Sequence, residues 1–113
     1  MISDIIRGDS RDIQLKFIDK TGSAIDITGS AVWLTIKKNK GDLDADAILQ
    51  KKVTAHYNPS GGITIISLEP TDTNIAEGVY WYDIQITMAS GKVYTVENGK
   101  VKIIKDVTLS YTV

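Results

Sequence analysis

The chain has no cysteine and only two prolines, and each absence removes something. Without cysteine there is no disulfide staple, no thiolate zinc site and no cysteine nucleophile. That fits a reducing compartment, or assembly in one before release. His56 is the only histidine, so no His-x-x-x-His or Cys/His metal spacing exists. Charge of one sign is missing too. Thirteen basic and fourteen acidic residues leave a formal charge of −1, and the mixed signs build no field for nucleic acid or an anionic membrane. No apolar run approaches the ~20 residues of a membrane-spanning helix. The opening residues carry no apolar signal-peptide segment.

What remains is a 113-residue chain with 42% hydrophobic residues, enough to bury a core without staples. Its ordering feature is Gly78–Met88. Tyr80, Tyr82, Ile84, Ile86 and Met88 point one way and Val79, Trp81, Asp83, Gln85 and Thr87 the other. This period of two predicts a long strand with one face on a core. Further strands are expected over Asp12–Ile18, Ala31–Lys38, Ala47–Thr54, Ile63–Leu68, Lys92–Glu97 and Lys100–Lys105. A short extended piece covers Ser23–Ile27, and a short helix stays open as an alternative for Ala47–Thr54. Asp19–Gly22, Ala89–Gly91 and Asn98-Gly99 read as hairpin turns, the last as a type I′ signal. Ile63, Ile65, Ile66 and Leu68 break parity, which predicts a strand covered on both faces or a bulge. Glu69–Glu77 is the one helical turn expected, capped by Thr71 or Asp72 and packed through Ile75.

About seven short strands with regular turns predict an all-β, immunoglobulin-like antiparallel β-sandwich, with a small β-barrel as the alternative. Residues 1–113 are read as one domain. Within it Met1–Asp9 is a lead-in, and Val107–Val113 is an extra strand or an extension towards a partner.

No motif carries strong chemistry. Arg7-Gly8-Asp9-Ser10 spells an integrin-binding tetrapeptide, but its ordinary reading is a glycine bend into the first strand with Arg7 and Asp9 solvated. Asp42, Asp44 and Asp46 alternate like calcium ligands, yet Ala47 and Val53 stand where such a loop needs glycine and a bidentate acid. The ordinary reading is a solvated acidic loop. His56, in a Gly/Pro/Asn loop, is read as a solvated imidazole. Any serine here could join a paper triad with it, but no nucleophile elbow marks one. Aromatic residues interleaved with lysines suggest single-stranded nucleic acid binding, but Lys37, Lys38 and Lys40 adjoin the acidic loop, which cancels their field. Trp33 and Trp81 point away from the predicted core face. Large aromatics there are candidates for an interface, against a plainer reading as cross-strand packing or residues covered by the lead-in. Tyr111 is a third candidate.

Several stretches together resemble a family. They are Asp19–Gly29 (DKTG followed by IDITG), the lysine-ended strand Thr35–Lys38 with its acidic loop, L-x-P-x-D-T at Leu68–Thr73 and G-x-Y-x-Y-D-I-Q at Gly78–Gln85. In this order they resemble small immunoglobulin-like domains of tailed phages and prophages, including the N-terminal domains of baseplate upper proteins. The likeness covers roughly Arg7–Asp106, though the long C-terminal region of a full baseplate protein has no counterpart here. It implies a non-enzymatic structural or adaptor role in a tail or baseplate, without cofactor or metal. The implied partners are other tail proteins or further copies of the chain, with no nucleic acid and no membrane insertion. The implied location is the virion, or the host bacterial cytoplasm during assembly. The competing expectation is a carbohydrate- or ligand-binding sandwich module.

Overall fold

The computed structural model of the protein describes residue 2 and residues 4–105, with Asp44 as backbone alone. Among these residues seven strands form two sheets. One sheet has the order β1-β7-β6-β3-β4, from β1 (Ile5–Ile6), β7 (Val93–Ile104), β6 (Gly78–Thr87), β3 (Ala31–Lys37) and β4 (Leu49–Val53). The other pairs β2 (Arg11–Lys16) with β5 (Ile63–Leu68).

Alternation decides the packing. Val32, Leu34 and Ile36 of β3 lie opposite Ile86, Ile84 and Tyr82 of β6, and all six are buried. Ile66 and Leu68 of β5 belong to the same core, as do Ile27, Val101 and Ile103. Each such side chain stabilises the fold by roughly 1.5–3 kcal/mol. The order β7-β6-β3 is that of the three-stranded immunoglobulin sheet, extended by β4 beyond β3 and by β1 beyond β7. Tyr80 adds the matching corner. Its hydroxyl donates to the Ala76 carbonyl at 2.6 Å, the bond that ties the start of the sixth strand to the preceding turn in such sandwiches.

Several sequence expectations are corrected. Asn98-Gly99 is not a turn. β7 runs straight through it, with Asn98 opposite Asp83 and Gly99 opposite Tyr82. A Cβ added at Gly99 would meet the Tyr82 ring edge at 3.6 Å, an ordinary contact, so packing does not demand glycine here. A long partner strand thus overrides a local turn preference. The lead-in is not merely a lead-in, because Ile5 and Ile6 pair with Ile103 and Ile104 in parallel, so the sandwich is not wholly antiparallel. The single turn expected over Glu69–Glu77 is present, and no helix extends it. Glu69 accepts from the Asp72 and Thr73 amides, while the Asp72 carboxylate takes the Glu69 amide at 2.8 Å. Ile75 packs into the core beneath it. The expected acidic loop instead contains a short 3₁₀ turn, Asp44–Asp46.

The uneven β5 pattern involves no bulge, since β2 and β5 pair in unbroken register. Thr64, Ile66 and Leu68 point inward, and Ile63 and Ile65 are half-buried on the other face. Residues 107–113, with Tyr111, lie outside the described residues.

Candidate functional site

Two surfaces present chemistry. The first is the outer face of the five-stranded sheet. Trp33 and Trp81 both lie on it, half-buried, as parity predicts. Register puts Lys52 opposite Trp33 and Lys100 opposite Trp81. The Lys52 ammonium sits 5.1 Å from the Trp33 ring centroid. Lys100 and Lys40 sit 5.1 and 5.2 Å from that of Trp81. Each contact contributes about 0.5–1 kcal/mol at an exposed site, and the lysines keep the indoles from forming a bare apolar patch. Between the tryptophans runs a polar row of Gln50, Thr35, Asp83 and Asn98, each opposite the next. Two shallow hollows of about 240 and 320 Å³ share Thr35 and Asp83, one walled by Trp81 and the other by Trp33. Strand spacing puts the two tryptophans about 14 Å apart.

The second surface is the flank between β2 and β7. Among the described residues β7 pairs with β6 on one edge and with β1 at Ile103 and Ile104 on the other, where the buried Ile2 also bonds the Tyr82 hydroxyl through its amide. Among the described residues no strand lies on that edge between Val93 and Val101. Val93, Tyr94 and Val96 on this stretch are 56%, 52% and 43% exposed. Pairing shifts where Ile84 faces Glu97 and Gln85 faces Thr95, which leaves Val96 as the extra residue of a bulge. Val96 therefore lines the flank together with Tyr94. Two adjoining hollows, about 410 and 430 Å³, share Phe17 and Val96, and the larger is floored by Ile25, Ile27, Ile86 and Met88. Reading Asn98-Gly99 as a turn concealed this edge, since it gave Lys92–Glu97 a partner it does not have. The available signal was Val93–Val96 itself, three apolar residues in four with no polar alternation.

The remaining candidates act as struts. His56 is half-buried rather than solvated. Its Nε2 donates to the Ser30 carbonyl at 2.9 Å, since a carbonyl can only accept, and this fixes the tautomer. Nδ1 then accepts from the Thr64 hydroxyl at 2.9 Å, which satisfies a fully buried side chain on an inward position of β5. The Ser30 hydroxyl lies 3.0 Å from Nε2. With Nε2 already carrying its proton and a threonine at Nδ1, this pair has no free base and no orienting carboxylate.

Arg7 is not simply solvated, because its Nε donates to Asn74 Oδ1 at 3.2 Å. Gly8 makes the expected bend at φ 81°. The Asp42 carboxylate accepts from the Asn39 amide. Among the described residues no three His, Asp or Glu side chains gather as a metal site would need.

Where charge is perturbed, the causes are local. The Thr21 hydroxyl and the Ser23 and Thr21 amides hold the Asp19 carboxyl below its usual range. The Thr28 hydroxyl and amide do the same for Asp26. For Asp72 the cause is first the Lys51 ammonium, 2.8 Å away, and then the Glu69 amide. Burial pushes the Tyr82 hydroxyl up, against the lowering effect of the Ile2 amide that donates to it at 3.1 Å.

Among the described residues no helix is long and apolar enough to cross a membrane. No family model, curated protein or solved structure matches the chain.

Proposed function

We propose that the protein is a non-enzymatic assembly module, a structural or adaptor component of a phage or prophage tail or baseplate. The observation that carries the assembly reading is the edge of β7 beside an apolar hollow. An exposed, apolar strand edge is a template for another strand, and main-chain pairing with side-chain pockets beside it is a recurrent way to bind protein. The tail assignment is supported by the resemblance of Leu68–Thr73 and Gly78–Gln85 to phage tail-region domains. Light scattering over a range of concentrations tests the assembly reading. The expected result is a discrete oligomer that becomes monomeric when Tyr94 and Val96 are both changed to lysine, with the far-UV spectrum retained. An oligomer indifferent to these changes moves the contact elsewhere, first to the face of Trp33 and Trp81.

A second reading rests on that face. Two indoles flanking a row of amide, hydroxyl and carboxylate groups suit a carbohydrate, whose rings stack while its hydroxyls hydrogen-bond. It predicts tryptophan fluorescence that responds to a glycan and loses the response in Trp81→Ala. A glycan screen with no response from the intact chain removes this reading.

A further inference from the structure

We propose that the outer face of the five-stranded sheet binds an acidic polysaccharide, a chain of sugar rings carrying carboxylate or sulfate groups. The inference rests on the carbohydrate reading of that face and names its ligand class.

Three observations carry it. The first is charge. Register places Lys37, Lys52, Lys100 and Lys102 on this face, and Lys40 joins them from the loop after β3, over the Trp81 ring. Asp83 is the one acid among the paired strand positions that face this way. Five of the thirteen basic residues thus stand with one of the fourteen acidic ones, in a chain whose formal charge is −1. The acidic loop adjoins the face at its Lys37 end, whereas Lys52 lies opposite Trp33 and Lys100 and Lys102 lie two strands away on β7. The even balance of the composition therefore does not hold locally, and a cluster of one sign draws ligands of the other.

The second observation is how the lysines are held. Lys52 lies over Trp33 at 5.1 Å, and Lys100 and Lys40 lie over Trp81 at 5.1 and 5.2 Å. Cation–π attraction at an exposed site is weak, whereas an ammonium on a carboxylate or sulfate makes a charge-assisted hydrogen bond. An acidic sugar therefore draws each ammonium off its indole and frees the ring to stack. A neutral sugar has to displace the same ammonium and offers it no charge in return. The arrangement selects acidic sugars over neutral ones.

The third observation is the middle of the face. Between the indoles lie the side chains of Gln50, Asp83 and Asn98, and Asp83 borders both hollows. Sugar hydroxyls can donate to this carboxylate and exchange hydrogen bonds with the amides. A phosphodiester has no proton to give Asp83 and is repelled by it, which favours a polysaccharide over a nucleic acid.

Tryptophan fluorescence titrations of the full chain test this, with heparin octasaccharide and oligogalacturonate as acidic sugars. Maltoheptaose serves as the neutral sugar and oligothymidylate as the nucleic acid. An acidic sugar is expected to bind about tenfold or more tighter than maltoheptaose, with an affinity that falls as salt is raised. Lys52→Gln/Lys100→Gln should weaken that binding about tenfold while both indoles and the far-UV spectrum are retained. If maltoheptaose binds as well as the acidic sugars, the charge inference is wrong and the carbohydrate reading stands. If no sugar binds, both fail. Tighter binding of oligothymidylate than of either acidic sugar would make the face a nucleic-acid surface and overturn the inference. A lysine variant that binds as the intact chain does would overturn it too.

Discussion

The two flanks of the sandwich are built to different standards. On one, β4 and β5 approach each other, and the turn after β5 reaches across to β4 through the Asp72–Lys51 ion pair at 2.8 Å. The same turn is fixed to the start of β6 by the Tyr80 hydroxyl. On the other flank β2 and β7 share no hydrogen-bonded ladder. Their side chains line two hollows, and the rim carries Tyr94 and Val96. A closed flank is where a domain stabilises itself. The open one leaves a strand edge and apolar side chains of its floor exposed.

The comparison can be broken from the floor upward. Gly62 adopts φ 72°, and a Cβ there would sit 2.6 Å from the Phe17 carbonyl oxygen and 2.7 Å from that of Ile25. Gly62→Ala should therefore cost roughly 2 kcal/mol or more, read as a lower urea midpoint. A neutral result would mean that the floor is soft. His56→Ala removes the partner of buried Thr64, and leaving such a group unsatisfied costs about 1–3 kcal/mol. Thermal melts would check this, and His56→Ala with Thr64→Val should recover part of the loss.

Tyr80→Phe deletes the corner bond on the closed flank, an expected loss of about 1 kcal/mol without any change in solution mass. Asp72→Asn should cost less, under about 1 kcal/mol for a partly exposed pair. Its signature lies in pH. Asp72 has a folded pKa below its unfolded one, so its contribution is present above the unfolded value of about 3.9. It is lost as pH falls through the folded value. The wild type should thus lose more stability than Asp72→Asn between about pH 5 and the folded pKa. Parallel acid titrations would contradict this. Smallest in stability is Tyr94→Thr on the open flank, expected within about 0.5 kcal/mol. That same change should weaken association, so a variant silent in melting and loud in light scattering would sharpen the contrast between flanks.

Much of the fold was legible because alternation is local. Val32, Leu34 and Ile36, and Tyr80, Tyr82, Ile84 and Ile86, could be assigned to one face from spacing alone, and the outward placement of Trp33 and Trp81 followed. What could not be read depends on register. That Lys52 and Lys100 stand over the indoles requires knowing which residues face them across strands. That Asn98-Gly99 continues a strand requires knowing that β6 is long enough to pair on both sides of it. The Val96 bulge is likewise a property of the β6–β7 pair, invisible in either strand. His56 was misjudged because its neighbours in sequence are turn formers, whereas its partners, Ser30 and Thr64, come from other elements.

The parallel pairing of β1 with β7 has a mechanical meaning. Ile5 and Ile6 run in the same direction as Ile103 and Ile104. Tension pulling backwards on the chain before Ile5 and forwards on the chain after Ile104 acts along these strands in opposite senses. It loads their hydrogen bonds in shear, all together, instead of peeling them one at a time. A two-residue pair in that position behaves as a latch, whose release would also uncover the last part of the β7 edge.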